Sequence, residues 1–75
     1  MSAGDPRFAV VIEVCASNYS AYVPDLPGCI ATGDSVEETA QNIREAIRFH
    51  IDGLREDGLP VPAASTRIEY VEVLA

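Results

Sequence analysis

The sequence predicts an α+β fold: one domain running strand, strand, strand, helix, strand, with a mostly antiparallel sheet in spatial order 3-2-1-4 and one helix on one face. Three observations carry this. Residues 8–15 are a short apolar run of strand length, Gly, Pro, Ser and Asn cut the next stretch into brief segments, and spacings of three and four between apolar residues are sustained only over 36–54.

The first strand is expected over residues 8–15. Phe8, Val10, Ile12 and Val14 share one face, while Ala9 and Val11 keep the other face apolar, as in a strand inside a sheet. Residues 1–7, with Asp5 and Pro6 among small side chains, read as a flexible start. Ala16-Ser17-Asn18 turns the chain into a second strand over 19–23, with Tyr19, Ala21 and Val23 on one face. Residues 22–29 then read Tyr-Val-Pro-Asp-Leu-Pro-Gly-Cys. Pro24 has no backbone donor and holds Val23 extended, so the strand ends there. Pro27 pre-sets the first central position of a type II turn, and Gly28 supplies the positive φ of the second. A brief third strand over 29–32 completes an antiparallel meander.

Ser35 and Glu38 fit a capping box, in which the serine oxygen accepts from one orphan backbone N–H and the glutamate reaches back to another. Val36, Ala40, Ile43, Ile47, Ile51 and Leu54 form one buried stripe of the helix that follows. Gly58 is its expected stop, and residues 59–62, Leu-Pro-Val-Pro, cannot continue it. The last strand is expected over 66–74. Ile68 and Tyr70 share a face before Val71 and Val73 take over the apolar register, which calls for a bulge near Tyr70 or burial on both faces. A helical crossover brings this strand back parallel to the third and so to the first. The first strand is the most apolar, so the last is placed beside it. One helix covers one face of such a sheet, and the other face or an edge must be polar or meet a partner.

Seventy-five residues make one domain. A core of this size seldom supplies more than about 3 to 5 kcal/mol, so a homo-oligomer, dimer or higher, is expected. Twelve Asp and Glu stand against five Lys and Arg, all five of them arginine, for a net charge of −7. Such a surface repels phosphate, so direct nucleic-acid binding is not expected and a basic protein partner is the natural complement. Cys15 and Cys29 lack the further ligands that a zinc site needs. Placed on the first and third strands they lie two strand spacings of about 4.8 Å apart, beyond the roughly 7 Å that a disulfide spans. Both are read as reduced packing residues of a cytoplasmic protein. No signal peptide is apparent and the longest apolar run, residues 8–12, is too short to span a bilayer, so a soluble chain without membrane contact is expected.

On the helical wheel, Arg44, Arg48 and Arg55 lie with Glu37 beside a strip of Glu38, Glu45, Asp52 and Glu56, read as a solvated face with Arg48–Asp52 and Glu45–Arg48 pairing. Phe49 falls about 150° from the centre of the apolar stripe, with Asn42, Ala46 and Gly53 along its row. Gly53 costs about 1 kcal/mol against Ala inside a helix, and close approach by another backbone would account for it. Phe49 is therefore a candidate contact residue. His50, the sole histidine, sits at the margin of the stripe and reads as packing. No nucleophile and base stand at a telling spacing, so neither an active site nor a cofactor is assigned. A second reading keeps Glu13, Glu38 and Glu72 as carboxylates that could converge on a divalent metal in a nuclease or other hydrolase. A third is a stand-alone oligomeric regulatory or binding protein with another partner.

The ordered set of an apolar first strand, Tyr22-Val-Pro-Asp-Leu-Pro-Gly-Cys29, Thr32-Gly-Asp-Ser-Val-Glu-Glu38 and a helix ending in Glu56-Asp-Gly-Leu-Pro-Val-Pro62 resembles the HicB family of toxin-antitoxin antitoxins over residues 8–74. The resemblance implies a partial RNase H-like fold without nuclease activity of its own. It also implies that the partner is a small basic HicA-type toxin that cleaves messenger RNA, neutralised by occlusion of its active surface. Charge complementarity between the two suits an acidic antitoxin. Typical members carry a further DNA-binding domain beyond this one, which these 75 residues do not contain, so operator binding is not expected of them. Tyr22, Asp25, Leu26, Phe49 and Tyr70 are the candidate partner-binding residues.

Overall fold

A computed structural model describes residues 7–74. The flexible start expected over 1–7 lies, apart from Arg7, outside the described residues. Four elements follow in order: β1 (Val11–Val14), β2 (Tyr19–Tyr22), β3 (Ile30–Gly33) and α1 (Val36–Glu56). The α+β class, the antiparallel meander and the single helix are as the sequence predicts. The strands lie in the order β1-β2-β3. Val11 is opposite Tyr22 and Ile12 opposite Ala21, and across the next pair Ala21 is opposite Ala31 and Tyr22 opposite Ile30.

That register sets the two faces of the sheet. Ile12, Ala21 and Ala31 form one row against the helix, and the two small alanines let α1 lie close. Ala21, Val23, Leu26, Cys29 and Ile43 are the buried core, with Phe8, Val10, Ile12, Ala46 and Ile47 packed around it. The helix lies mainly over β3 and β2 and reaches β1 least. The row Val11, Tyr22 and Ile30 falls on the uncovered face.

The start of α1 is capped as expected, with a shift of one residue. The Glu38 N–H donates to Ser35 Oγ at 3.0 Å, while the Glu38 carboxylate accepts from the backbone N–H of Asp34. Val36 does not join the buried stripe; it is 46 % exposed, and Thr39 is buried instead. The reason lies in Gly33, where a Cβ would stand 2.5 Å from Thr39 Oγ1 and 2.8 Å from its backbone nitrogen. Only the bare glycine backbone lets the first helical turn press Thr39 onto the end of β3. Its hydroxyl is satisfied by donating to the Ser35 carbonyl at 2.7 Å. The helix ends in a Schellman motif, with Leu59 N–H on the Leu54 carbonyl at 2.9 Å and Gly58 N–H on that of Arg55 at 3.1 Å.

The expected fourth strand is not formed among the described residues. Residues 59–74 adopt neither helix nor strand, and the order 3-2-1-4 reduces to its first three members. A strand exists through backbone hydrogen bonds to a neighbour, and residues 67–74 have none among the described residues. Ser65 and Thr66 are held on the Asp25 carboxylate, and beyond them residues 67–74 form an exposed arm. Tyr70 is 97 % exposed and Val73 83 %.

Cys15 corrects the packing reading for that residue. It lies just past β1, exposed, with its thiol donating to Ser20 Oγ at 3.5 Å, whereas Cys29 is buried; both are free thiols. No helix among the described residues is long and apolar enough to cross a membrane.

Candidate partner-binding site

The loop joining β2 to β3 is two tight turns in succession. Leu26 N–H donates to the Val23 carbonyl at 3.0 Å, Cys29 N–H to the Leu26 carbonyl at 3.0 Å, and Val23 N–H closes the loop on the Cys29 carbonyl at 3.3 Å. Pro24 and Pro27 take the first central position of each turn. Gly28, at φ 84°, supplies the left-handed residue of the second, as its place after Pro27 predicts. Between the turns Leu26 points inward and is 0 % exposed. It is a plug that fixes the loop to the core and offers no surface to a partner, which corrects its candidacy as a contact residue.

Asp25 faces the other way. Its carboxylate accepts from Ser65 N–H and Thr66 N–H, both at 3.0 Å, and from the hydroxyls of Ser65 at 3.2 Å and Thr66 at 2.7 Å. Hydrogen bonds to the charged form, led by the Thr66 backbone and then its hydroxyl, hold the Asp25 carboxyl below its ordinary range. Asp25 anchors the arm.

The exposed apolar surface gathers elsewhere. Phe49 is 82 % exposed, as its wheel position predicts, and Ile30 at the start of β3 is 70 % exposed. Both line an open cleft of about 440 Å³ between residues 28–30 and the second half of α1, with Ala46, His50, Gly53, Leu54 and Asp57 around them. No atom of the described residues lies within 4 Å of the place a Gly53 Cβ would take, so none of their backbone makes the close approach inferred there. On the other flank of Phe49, a second depression of about 280 Å³ is lined by Gln41, Arg44, Glu45, Arg48 and Asp52. The expected Arg48–Asp52 and Glu45–Arg48 ion pairs are not made; Gln41 instead bridges Arg44, at 2.7 Å, and Glu45, at 3.2 Å. Arg48 and Asp52 thus keep charge on the rim beside an aromatic ridge, the make-up of a protein-contact surface.

Tyr22 is 41 % exposed and lies directly across from Ile30 on the sheet face that the helix leaves uncovered, outside the lining of the cleft; Ile30 is a residue that the sequence reading passed over. Ile30 had a signal in the sequence: it alternates with Cys29, whose side chain turns inward. Tyr70 is outside that lining too and stands on the arm. Glu13, Glu38 and Glu72 are not brought together either; Glu38 serves the helix cap and Glu72 is on the arm, and among the described residues no three His, Cys, Asp or Glu side chains are grouped to hold a metal. Burial pushes the Cys29 thiol up, away from the thiolate form a nucleophile needs.

The model of the HicB-like antitoxin family of bacterial toxin-antitoxin systems matches residues 8–73. An uncharacterized 14.9 kDa protein of Haemophilus phage HP1 is 38 % identical over 64 residues, covering 85 % of this chain and 48 % of the phage protein, so the chain spans about half of that relative. UPF0150 proteins of Synechocystis and Helicobacter pylori are 39 % and 45 % identical over 75 % and 65 % of the chain, and over 71 % and 68 % of their own lengths. Among solved structures, a chain of a HicA3 and HicB3 toxin-antitoxin complex superposes with a TM-score of 0.70 at 27 % identity, over 80 % of this chain and 70 % of that one.

Proposed function

The chain belongs to the HicB-like antitoxin family, and from that premise we propose that it binds and neutralises a small basic HicA-type toxin that cleaves messenger RNA. The observation that carries the reading is the likeness, at 27 % identity, to a chain of a HicA3 and HicB3 complex. Inhibition works by occlusion: an acidic domain of net charge −7 is drawn to a basic nuclease, and contact with its active surface keeps RNA out. The contact surface is the cleft around Phe49 and Ile30, with Tyr22 beside it. No catalytic step and no cofactor belong to this function, and it takes place in the cytoplasm. The antitoxin acts as a homo-oligomer.

The experiment is co-expression with a HicA-type toxin encoded beside the gene. Growth is expected to be restored and the two chains to co-purify, with Phe49→Glu lowering affinity at least tenfold while the circular dichroism of the free protein is unchanged. Toxicity that persists, with no complex, would sink the reading; rescue with unaltered affinity of Phe49→Glu would move the contact surface elsewhere.

A further inference from the structure

Beside β1 lies an apolar groove of about 370 Å³, lined by Phe8, Val10, Ile12, Ala40, Ile43 and Ile47, with Arg7 and Arg44 at its rim, and no strand of the described residues occupies it. It exists because α1 lies over β3 and β2 and leaves the flank of β1 half-covered, and because the outer edge of β1 pairs with nothing among the described residues. The same chain carries an element of complementary character that is out of place. Residues 67–74 read Arg-Ile-Glu-Tyr-Val-Glu-Val-Leu, and Ile68, Tyr70, Val71, Val73 and Leu74 are all exposed, from 51 % to 97 %.

We propose that this arm is exchanged between two copies of the chain, each arm lying as a fourth strand along β1 of the other and filling its groove. The lengths agree: eight residues extend to about 26 Å and residues 8–14 to about 23 Å at roughly 3.3 Å per residue. The chemistry agrees as well, since the arm brings apolar side chains to an apolar groove, and Glu69 and Glu72 to a rim bearing Arg44. Within one chain the groove and the arm stay apart: Asp25 holds Ser65 and Thr66, no residue of 67–74 lines the groove, and none makes a backbone hydrogen bond among the described residues. Reciprocal exchange satisfies both arms and both edges at once and closes as a two-fold dimer, whereas an open edge and a bare apolar arm each invite uncontrolled association. The change of apolar register at Tyr70 and Val71 is what a strand with apolar neighbours on both faces carries. The exchange stands apart from toxin recognition and needs no toxin to be tested.

The test uses the full chain. Light scattering at 10–100 µM is expected to give at least twice the 8.0 kDa of one chain. A nitroxide is then placed at Leu74→Cys in a Cys15→Ser background and mixed with isotope-labelled, spin-free wild-type chain. Broadening of the amides of residues 8–14 and 43–47 in the spin-free chain is expected, because the label reaches them only from another molecule. A chain truncated after Thr66 is expected to have the mass of a monomer, and if it fails to fold, the spin-label result on the intact chain decides. A single-chain mass at 100 µM, an assembly without broadening at residues 8–14, or a folded truncated chain that keeps the assembled mass would each overturn the exchange.

Discussion

Thr66 grips Asp25 twice, through its hydroxyl at 2.7 Å and its backbone N–H at 3.0 Å, joining positions 41 apart in sequence. The Pro-Asp-Leu-Pro-Gly run thereby does two jobs with adjacent residues. Leu26 pins the loop to the core and Asp25, facing outward, sets where the arm begins. Because these bonds favour the carboxylate, the folded pKa lies below the ordinary value of about 3.9. The sign follows: the contribution is complete above the unfolded value and is lost as pH falls through the lower folded one. Protection of the Ser65 and Thr66 amides, taken relative to the intrinsic exchange rate at each pH, is expected to be full at pH 5–7 and to be lost as pH falls from the ordinary carboxylate value through the lower folded one. Asp25→Asn should show low protection at both amides throughout that range. Protection that persists in Asp25→Asn would mean that the arm is held by something other than this carboxylate.

Gly33 and Thr39 make a second contact with no room in it. A methyl at position 33 would meet backbone atoms of Thr39 at 2.8 and 3.0 Å, which cannot swing aside as the end of a long side chain can. Gly33→Ala is expected to cost about 1–3 kcal/mol. For a domain of this size that is a fall in Tm of roughly 4–8 °C per kcal/mol. Adding Thr39→Ala removes the hydroxyl clash at 2.5 Å but leaves both backbone clashes, so rescue should be partial. Full rescue in thermal unfolding would show that the hydroxyl alone carries the strain.

Local rules made most of the fold legible. Pro27-Gly28 specified its turn because only glycine takes the φ it needs cheaply, and Ser35 with Glu38 specified the helix start because four backbone donors there have no other partners. Both are decided within a few residues. The misreadings concern what lies far along the chain. Residues 66–74 have a strand's composition, but a strand needs a neighbour, and neither composition nor periodicity says whether that neighbour is in the same molecule. Leu26 was a contact candidate because its loop is polar and turn-rich; its burial depends on which side of two successive turns faces the helix. Asp25 holds Ser65 and Thr66, a job the sequence does not show, since nothing local announces those two residues as its donors. Phe49 was legible because a helix converts spacing directly into direction. Ile30 needed the strand's phase, which a four-residue strand hardly reveals.

Gly53 separates stability from recognition. It lies inside α1, and the space its Cβ would take holds no atom of the described residues within 4 Å, so alanine there clashes with none of them. Gly53→Ala should stabilise the free protein by about 0.5–1 kcal/mol, through the backbone entropy that glycine loses on entering a helix. The same methyl would project into the cleft that Phe49 and Ile30 line. If a toxin packs its backbone close against that row, the substitution must raise Tm and weaken toxin binding together. Thermal unfolding of the free protein and calorimetric titration with toxin measure the two effects independently. A rise in Tm with unchanged affinity would place the toxin on another face, and a fall in Tm would mean that the space beside Gly53 is already filled, by a second copy of the chain.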